Sequence, residues 1–122
     1  MEDLYRVPGG NACAVNQVQY SLTRRGIERN LLPWCIRHGL PVMAYSPLGM
    51  TGALLSNAAL MRVAKRRRCS PSAVAIAWTM RSGHAISIPE SGSPDHVREN
   101  AYALSLRLTE QDLGELDSAF PL

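Results

Sequence analysis

Apolar positions along the chain occur in short blocks that alternate between two spacings. Blocks of strand-like density lie at residues 12–20, 41–45 and 84–89. After each of them, apolar side chains recur every three or four residues, at 26–38, 58–68, 71–81, 93–103 and from 109 onwards, which is the spacing of helices with one buried face. Strands that alternate with helices in this way predict βαβ units and a parallel sheet. The pattern therefore indicates an α/β fold.

Glycine and proline mark the boundaries of these blocks. The segment PGG at 8–10 is expected to end a short helical piece at residues 1–7. Gly39 stands where the C-terminus of a helix favours a left-handed residue. Two Ser-Pro pairs, at 70–71 and 93–94, each place a capping serine before a proline, which is typical of the first turn of a helix. We expect a helix to begin at each pair.

Composition limits the class of protein further. The chain has 122 residues, of which 46% are apolar and 19% charged, and this favours one packed domain over a disordered chain. A net charge of +3 requires neither a nucleic-acid nor a membrane partner. Residues 1–8 lack the apolar stretch of a signal peptide, and three cysteines are too few for a disulfide scaffold. We predict a soluble, cytoplasmic protein.

Polar side chains gather near the ends of the three predicted strands. Gln17 lies near the first, Tyr45 and Ser46 end the second, and Glu90 and Ser91 follow the third. In parallel α/β proteins these positions share one rim, where ligands bind. Polar side chains can also do no more than form hydrogen bonds with nearby backbone groups. Their recurrence at three strand ends favours a binding site. The helix start at 93–94 adds backbone N–H groups that favour a phosphate, although most helix starts carry only an ordinary cap.

Other chemical patterns are weaker. No Gly-x-Ser-x-Gly motif is present, which removes the usual signature of a serine hydrolase. Cys35 and His38 are spaced like metal ligands, but one such pair does not complete a tetrahedral site. The basic run at 65–68 ends a predicted helix, where the helix dipole favours cations, and a solvated helix face is its ordinary explanation. We predict no metal site and no nucleic-acid partner.

Several ordered segments together resemble the C-terminal part of the aldo-keto reductase family, particularly its bacterial members. They are NQVQY at 16–20, AYSPLG at 44–49, IPES at 88–91, REN at 98–100 and LSLRLTEQDLGELDSAF at 104–120. The family fold is a (β/α)8 TIM barrel. The resemblance implies that residues 1–122 form a partial barrel domain, with strands six to eight, the C-terminal helices and an incomplete barrel.

The resemblance also implies a nicotinamide cofactor, NADP or NAD, across the carboxyl ends of the strands. Gln17 would bond the nicotinamide carboxamide, and the ring of Tyr45 would stack on the nicotinamide. Ser46 and Leu48 would contact the pyrophosphate. The residues expected at the adenosine end are Ser91 and Ser93, near the ribose or its 2′-phosphate, and Glu99 and Asn100, near the adenine.

Two positions depart from the family pattern at the adenosine end. Glu90 stands where the family commonly has lysine, and a phosphate is repelled by a carboxylate. His96 stands at the usual arginine position, although histidine occurs there in bacterial relatives, and histidine carries little charge at neutral pH. Both residues are expected near the cofactor. The resemblance therefore implies weakened affinity for the 2′-phosphate and relatively better tolerance of NADH.

The family's catalytic Tyr, Lys, Asp and His lie on earlier strands and have no counterpart here. We therefore assign no catalytic residue, since reduction of a carbonyl needs a proton donor and oxyanion stabilisation. The predicted function is the cofactor-binding half of an NAD(P)H-dependent oxidoreductase that reduces aldehydes or ketones to alcohols, inactive when alone. The alternative is a non-catalytic binding or interaction module, or the fragment of a decayed gene.

Length supports the expectation of truncation. A barrel of this type typically needs about 250 residues, and this sequence has roughly half as many. Three parallel strands do not close into a barrel, so an open sheet edge and an uncovered face are expected. We predict a marginally stable chain that self-associates through the open sheet edge. Its expected small-molecule partners are a nicotinamide dinucleotide and, once the missing half completes the barrel, a small carbonyl substrate.

Overall fold

The computed structural model describes residues 1–122 and contains one parallel three-stranded sheet with six α-helices. The strands are β1 (Asn16–Gln19), β2 (Val42–Tyr45) and β3 (Ala85–Ser87), and their order in the sheet is β1-β2-β3. The helices are α1 (Glu2–Arg6), α2 (Leu31–Arg37), α3 (Ala58–Arg67), α4 (Pro71–Met80), α5 (Pro94–Tyr102) and α6 (Glu110–Ala119). The predicted α/β class with a parallel sheet is confirmed, and the sheet does not close.

The two faces of the sheet have different environments. Side chains alternate between the faces along a strand, and residues in register share a face. Val42, Ala44 and Ala85 are buried on the face that the helices cover. The opposite face has no covering layer, and it carries Gln17, Gln19, Met43, Tyr45 and Ile86. Polar and apolar side chains are therefore exposed together on this open face.

Helix α4 forms the centre of the core. All eight residues from Ser72 to Thr79 are buried, so this helix is enclosed on every side. It packs against α3, α5 and β3. Trp78 is fully buried and lies 5.4 Å from the ring of Tyr20, measured between centroids. Through this contact, α4 packs against the end of β1.

The open face of the sheet increases the total accessible surface of the chain. The accessible surface is 7262 Å². A compact monomer of 13.4 kDa exposes about 6500 Å². The excess of roughly a tenth is expected when one face of a sheet lacks a covering layer. Only 27 of 122 residues are buried, which limits the hydrophobic contribution to stability.

Strand β1 is shorter than predicted. The expected strand at 12–20 shrinks to Asn16–Gln19, and a 3-10 turn occupies Gly10–Ala12. Gly10 is packed so closely against α1 that a Cβ there would lie 1.7 Å from the carbonyl oxygen of Leu4. The sheet ladder begins where the Asn16 N–H donates to the Pro41 carbonyl at 3.0 Å. Residues 12–15 therefore have no neighbouring strand to pair with.

The helix predicted at 26–38 is divided in two. A 3-10 turn covers Gly26–Glu28, and α2 begins only at Leu31. Pro33 explains the break, because the ring of a proline clashes with the carbonyl four residues earlier, here that of Arg29. Starting at Leu31 places Pro33 in the first turn, where its missing N–H is harmless. Gly39, with φ of +64°, follows this helix as predicted.

Ion pairs join α6 to the rest of the chain at two places. The Arg25 guanidinium donates to the Asp117 carboxylate at 2.8 Å and to the Phe120 carbonyl at 2.7 Å. In the basic run, Arg66 and Arg67 donate to the fully buried carboxylate of Asp112 at 2.7 and 2.5 Å. Both side chains keep contact with water, as the interpretation of this run as a solvated face predicts, but their guanidinium groups also form ion pairs with α6. They hold α3 against α6.

The open sheet is expected to drive self-association, because unpaired strand edges recruit further strands. Ile86 is 47% exposed on the open face of the outer strand β3. We expect sedimentation velocity to show a mass that rises with protein concentration, and we expect Ile86→Lys to reduce this rise. Met61→Lys is a matched control, since Met61 is 52% exposed but lies on α3. A monomer at every concentration with a sharp cooperative melt would contradict this prediction.

Candidate functional site

A cavity of about 190 Å³ lies beyond the carboxyl ends of β2 and β3. Its walls come from the loops that follow these two strands, from the start of α4 and from one side of α5. The lining residues are Leu48, Leu55, Ser70, Pro71, Ser72, Glu90, Ser91, His96, Glu99 and Asn100. Six of the nine residues predicted for the cofactor site are among them.

Serine hydroxyls fix the backbone around this cavity. Ser70 caps α4 by accepting the Ala73 N–H at 3.2 Å. Ser93 caps α5 by accepting the His96 N–H at 3.5 Å. The Ser91 hydroxyl accepts the Ser93 N–H at 3.1 Å and donates to the Ser93 carbonyl at 3.3 Å. Both predicted helix starts are therefore confirmed, and the start of α4 brings the positive end of its helix dipole to the cavity.

Gln17 and Tyr45 lie on the open face of the sheet rather than in the cavity. Gln17 is in register with Met43, two residues before Tyr45, so both predicted side chains share this face. Tyr45 is 41% exposed at the end of β2. Gln17 lies inside β1 and its amide makes no hydrogen bond within the chain. An exposed ring and an amide with free donors and acceptors thus lie on the same sheet face, on adjacent strands and two register positions apart.

Ser46 connects the open face to the cavity. Its φ of +50° lies in the left-handed region, which is uncommon for a residue with a side chain. This conformation ends β2 and starts a turn in which the Gly49 N–H donates to the Ser46 carbonyl at 3.0 Å. Leu48, inside the same turn, lines the cavity. Strained backbone of this kind often occurs at functional sites.

The sequence prediction of the site was incomplete. It included neither Leu55 nor the residues at the start of α4, which are Ser70, Pro71 and Ser72. The Ser-Pro pair at 70–71 was visible as a helix start, and it has the same form as the pair at 93–94. What the sequence does not show is that the start of α4 lines the same cavity as one side of α5.

Tyr20, at the end of β1, is not available as a proton donor toward the open face. Its hydroxyl donates to Glu28 at 2.8 Å and accepts from Arg81 at 2.7 Å. Burial raises the pKa of Tyr20 to about 12, despite the opposing influence of Arg81. Tyr5 packs edge-on against Trp34, with ring centroids 4.9 Å apart. Among the tyrosines, Tyr45 is the one on the open sheet face.

Cys35 and His38, the pair with the spacing of metal ligands, have other contacts. The His38 ring stacks on Trp34 with centroids 3.8 Å apart, and its Nδ1 lies 2.8 Å from the Trp34 carbonyl oxygen. Cys35 is fully buried in the core. No group of three or more His, Cys, Asp or Glu side chains is arranged so that it could hold a metal ion. No helix combines the length and apolar character that a membrane crossing requires.

Comparison with known proteins identifies the class to which this fold and site belong. The family model described as the aldo/keto reductase family matches residues 2–120. The chain therefore belongs to the aldo/keto reductase family, which confirms the resemblance seen in its sequence. Its three strands and flanking helices correspond to part of the family's TIM barrel.

The chain is similar to individual bacterial members of the family. It is 42% identical over 125 residues to the methylglyoxal reductase YeaE of Escherichia coli. That match covers 99% of this chain and 44% of YeaE. An aldo-keto reductase from Klebsiella pneumoniae, crystallised in complex with NADPH, is 39% identical with a TM-score of 0.93. That match covers 98% of this chain and 44% of the Klebsiella chain. The chain thus spans less than half the length of these relatives.

Proposed function

We propose that this chain forms the cofactor-binding part of an NAD(P)H-dependent oxidoreductase that reduces aldehydes or ketones to alcohols. The observation that carries the proposal is the connection between the open face and the cavity. Tyr45 ends β2 on the open face, Ser46 turns the chain, and Leu48 lines the cavity. An extended ligand with an aromatic ring at one end and an adenosine at the other matches this layout. Family membership and a relative crystallised with NADPH support the assignment.

The residues on the open face fit a nicotinamide. A carboxamide both donates and accepts hydrogen bonds, and the Gln17 side chain offers both without a competing partner in the chain. The exposed ring of Tyr45 offers a flat surface for stacking. A reduced nicotinamide bound there supplies a hydride to a carbonyl carbon. The roles proposed for Gln17 and Tyr45 are to hold and orient that ring.

Proton transfer is a separate requirement, and we assign it to no residue of this chain. Reduction of a carbonyl needs a donor for the proton and a group that stabilises the developing oxyanion. Tyr20 is committed to Glu28 and Arg81, and Tyr45 has the proposed stacking role. We therefore propose that residues outside these 122 supply the proton donor, and that this chain binds the cofactor without turnover.

The test is the binding of NADH and NADPH to the chain by isothermal titration calorimetry, with Tyr45→Ala and Tyr45→Phe compared. Removing one stacking ring typically weakens binding about tenfold. We expect this loss for Tyr45→Ala, and near-parental affinity for Tyr45→Phe because the ring remains. Met50→Ala is a matched control, since Met50 is 79% exposed in the loop after β2. Equal binding by all four proteins would contradict the role of Tyr45.

The same preparations separate the proposed function from its alternative. Incubation with a reduced cofactor and a small aldehyde, followed by the loss of nicotinamide absorbance, measures turnover directly. Binding without turnover is the expected result. Turnover by the isolated chain would overturn the proposal that the proton donor lies elsewhere. Absence of dinucleotide binding would instead favour a non-catalytic interaction module or the fragment of a decayed gene.

A further inference from the structure

The cavity is unusually acidic for a site proposed to hold phosphate groups. Glu90 and Glu99 both line it, and both are exposed residues. No lysine or arginine is among its lining residues, and His96 is the single basic side chain there. A ligand phosphate placed in this cavity would therefore meet carboxylates without a permanent cation to offset them.

Nearby arginines are directed elsewhere. Arg98 lies on α5 beside the cavity, but its guanidinium donates to Asp95 at 2.7 Å and does not line the cavity. Arg68 lines a smaller adjacent pocket together with Glu99. Of the two acidic side chains, Glu99 thus shares a pocket with an arginine and Glu90 does not. Glu90 also has no hydrogen-bond or ion-pair partner in the chain.

The helix start near Glu90 does not supply the missing positive charge. α5 begins at Pro94, which has no N–H, and the His96 N–H is taken by the Ser93 hydroxyl. Asp95 adds a further negative charge to the first turn. The attraction that a helix N-terminus offers to an anion is therefore reduced at this position.

Resting on the proposed function, we infer that Glu90 makes this site selective for NADH over NADPH. In the doubly wound dinucleotide-binding fold, an acidic side chain accepts a hydrogen bond from the ribose 2′-hydroxyl, whereas an arginine accommodates the 2′-phosphate, and the same chemistry applies to a ribose beside Glu90. Glu90 can accept from the hydroxyl of NADH. Toward NADPH the same carboxylate lacks a donor and repels the added phosphate. Glu90 is thus the specificity-determining residue.

The experiment is calorimetric titration of the parent chain, Glu90→Gln and Glu90→Lys with NADH and NADPH. Two smaller probes, adenosine 5′-monophosphate and adenosine 2′,5′-bisphosphate, differ only in the 2′-phosphate and report on the adenosine end alone. Glu110→Lys makes the same change of charge at an exposed position on α6 that is remote from the cavity. It serves as the matched control.

We expect the parent chain to bind NADH about tenfold more tightly than NADPH, since the 2′-phosphate lies beside an uncompensated carboxylate. Glu90→Gln should reduce this ratio, Glu90→Lys should reverse it, and Glu110→Lys should leave it unchanged. The two adenosine probes should follow the same order. Tighter binding of NADPH by the parent chain, or a ratio that Glu90→Lys leaves unchanged, would overturn the inference.

Failure of this inference is distinguishable from failure of the proposed function. If both dinucleotides bind with a ratio that favours NADPH, the site is a cofactor site and only the role of Glu90 is wrong. If neither dinucleotide and neither adenosine probe binds, the proposed function fails, and the selectivity of Glu90 fails with it.

Discussion

Replacing Trp78 with alanine is expected to unfold most of the chain under conditions in which the parent protein is folded. Trp78 is fully buried in α4, and its ring packs against Tyr20. The guanidinium carbons of Arg81 and Arg25 lie 3.8 and 5.0 Å from the centroid of that ring. Loss of a buried tryptophan costs about 3–5 kcal/mol. A sheet with one uncovered face has little stability to spare.

Urea denaturation followed by far-ultraviolet circular dichroism measures this loss. Trp78→Phe is the informative comparison, because the Trp78 Nε1–H has no acceptor in the structure and its removal breaks no hydrogen bond. We expect Trp78→Phe to remain folded with a smaller loss of stability. Trp34→Ala, at a half-buried position, should also cost less. A Trp78→Ala variant with parental stability would show that the core is not centred on α4.

The second large effect is expected at Asp112, the buried carboxylate between α3 and α6. Burial alone would raise its pKa, but the Thr109 N–H, Arg67 and Arg66 donate to it and lower the pKa to about 2. Thr109 also forms a capping box with Asp112 at the start of α6. Asp112→Asn should cost about 2–3 kcal/mol, the usual worth of hydrogen bonds to a charged group. The loss in free energy of unfolding stays in this range because the side chains of Arg66 and Arg67 both retain contact with water.

The same carboxylate predicts how stability depends on pH. An aspartate whose pKa is depressed on folding stabilises the native state fully above its unfolded pKa, and this contribution is lost as the pH falls toward the folded value. A shift from 3.8 to about 2 corresponds to about 2.5 kcal/mol, lost progressively between about pH 5 and pH 2. Denaturation curves for the parent and Asp112→Asn across this range should converge at the acid end. Parallel curves would contradict the prediction.

Local patterns were sufficient to predict the fold class and the helix starts. Strand-like and helical spacings follow directly from which side chains face the core, and the Ser-Pro pairs capped α4 and α5 as expected. The rule that parallel strands end at one rim predicts that Glu90 and Ser91 belong to a shared site, and both line the cavity. Leu48, which only the family resemblance assigned to the site, lines the same cavity. These features depend on residues close together in sequence, or on a general property of parallel sheets.

The features that were missed are one local signal and the contacts between residues far apart in the chain. The helix break before Leu31 follows from Pro33, a local signal that the helical spacing of the apolar residues concealed. The pairing of Arg66 and Arg67 with Asp112 joins residues far apart in the chain, so the basic run alone gave no sign of it. The contribution of the start of α4 to the cavity was also missed, because it depends on contacts between residues far apart in the chain. The angle between two helices is set by packing and leaves no pattern in either segment.

The order of the three strands in space repeats their order in the chain. A nascent polypeptide leaving the ribosome can therefore assemble this sheet in the direction of its synthesis, with β2 docking beside β1 and β3 beside β2. No strand has to be inserted between two that are already paired. Each new strand is then added at one edge of the sheet, and after β3 has docked that edge is the outer edge of β3.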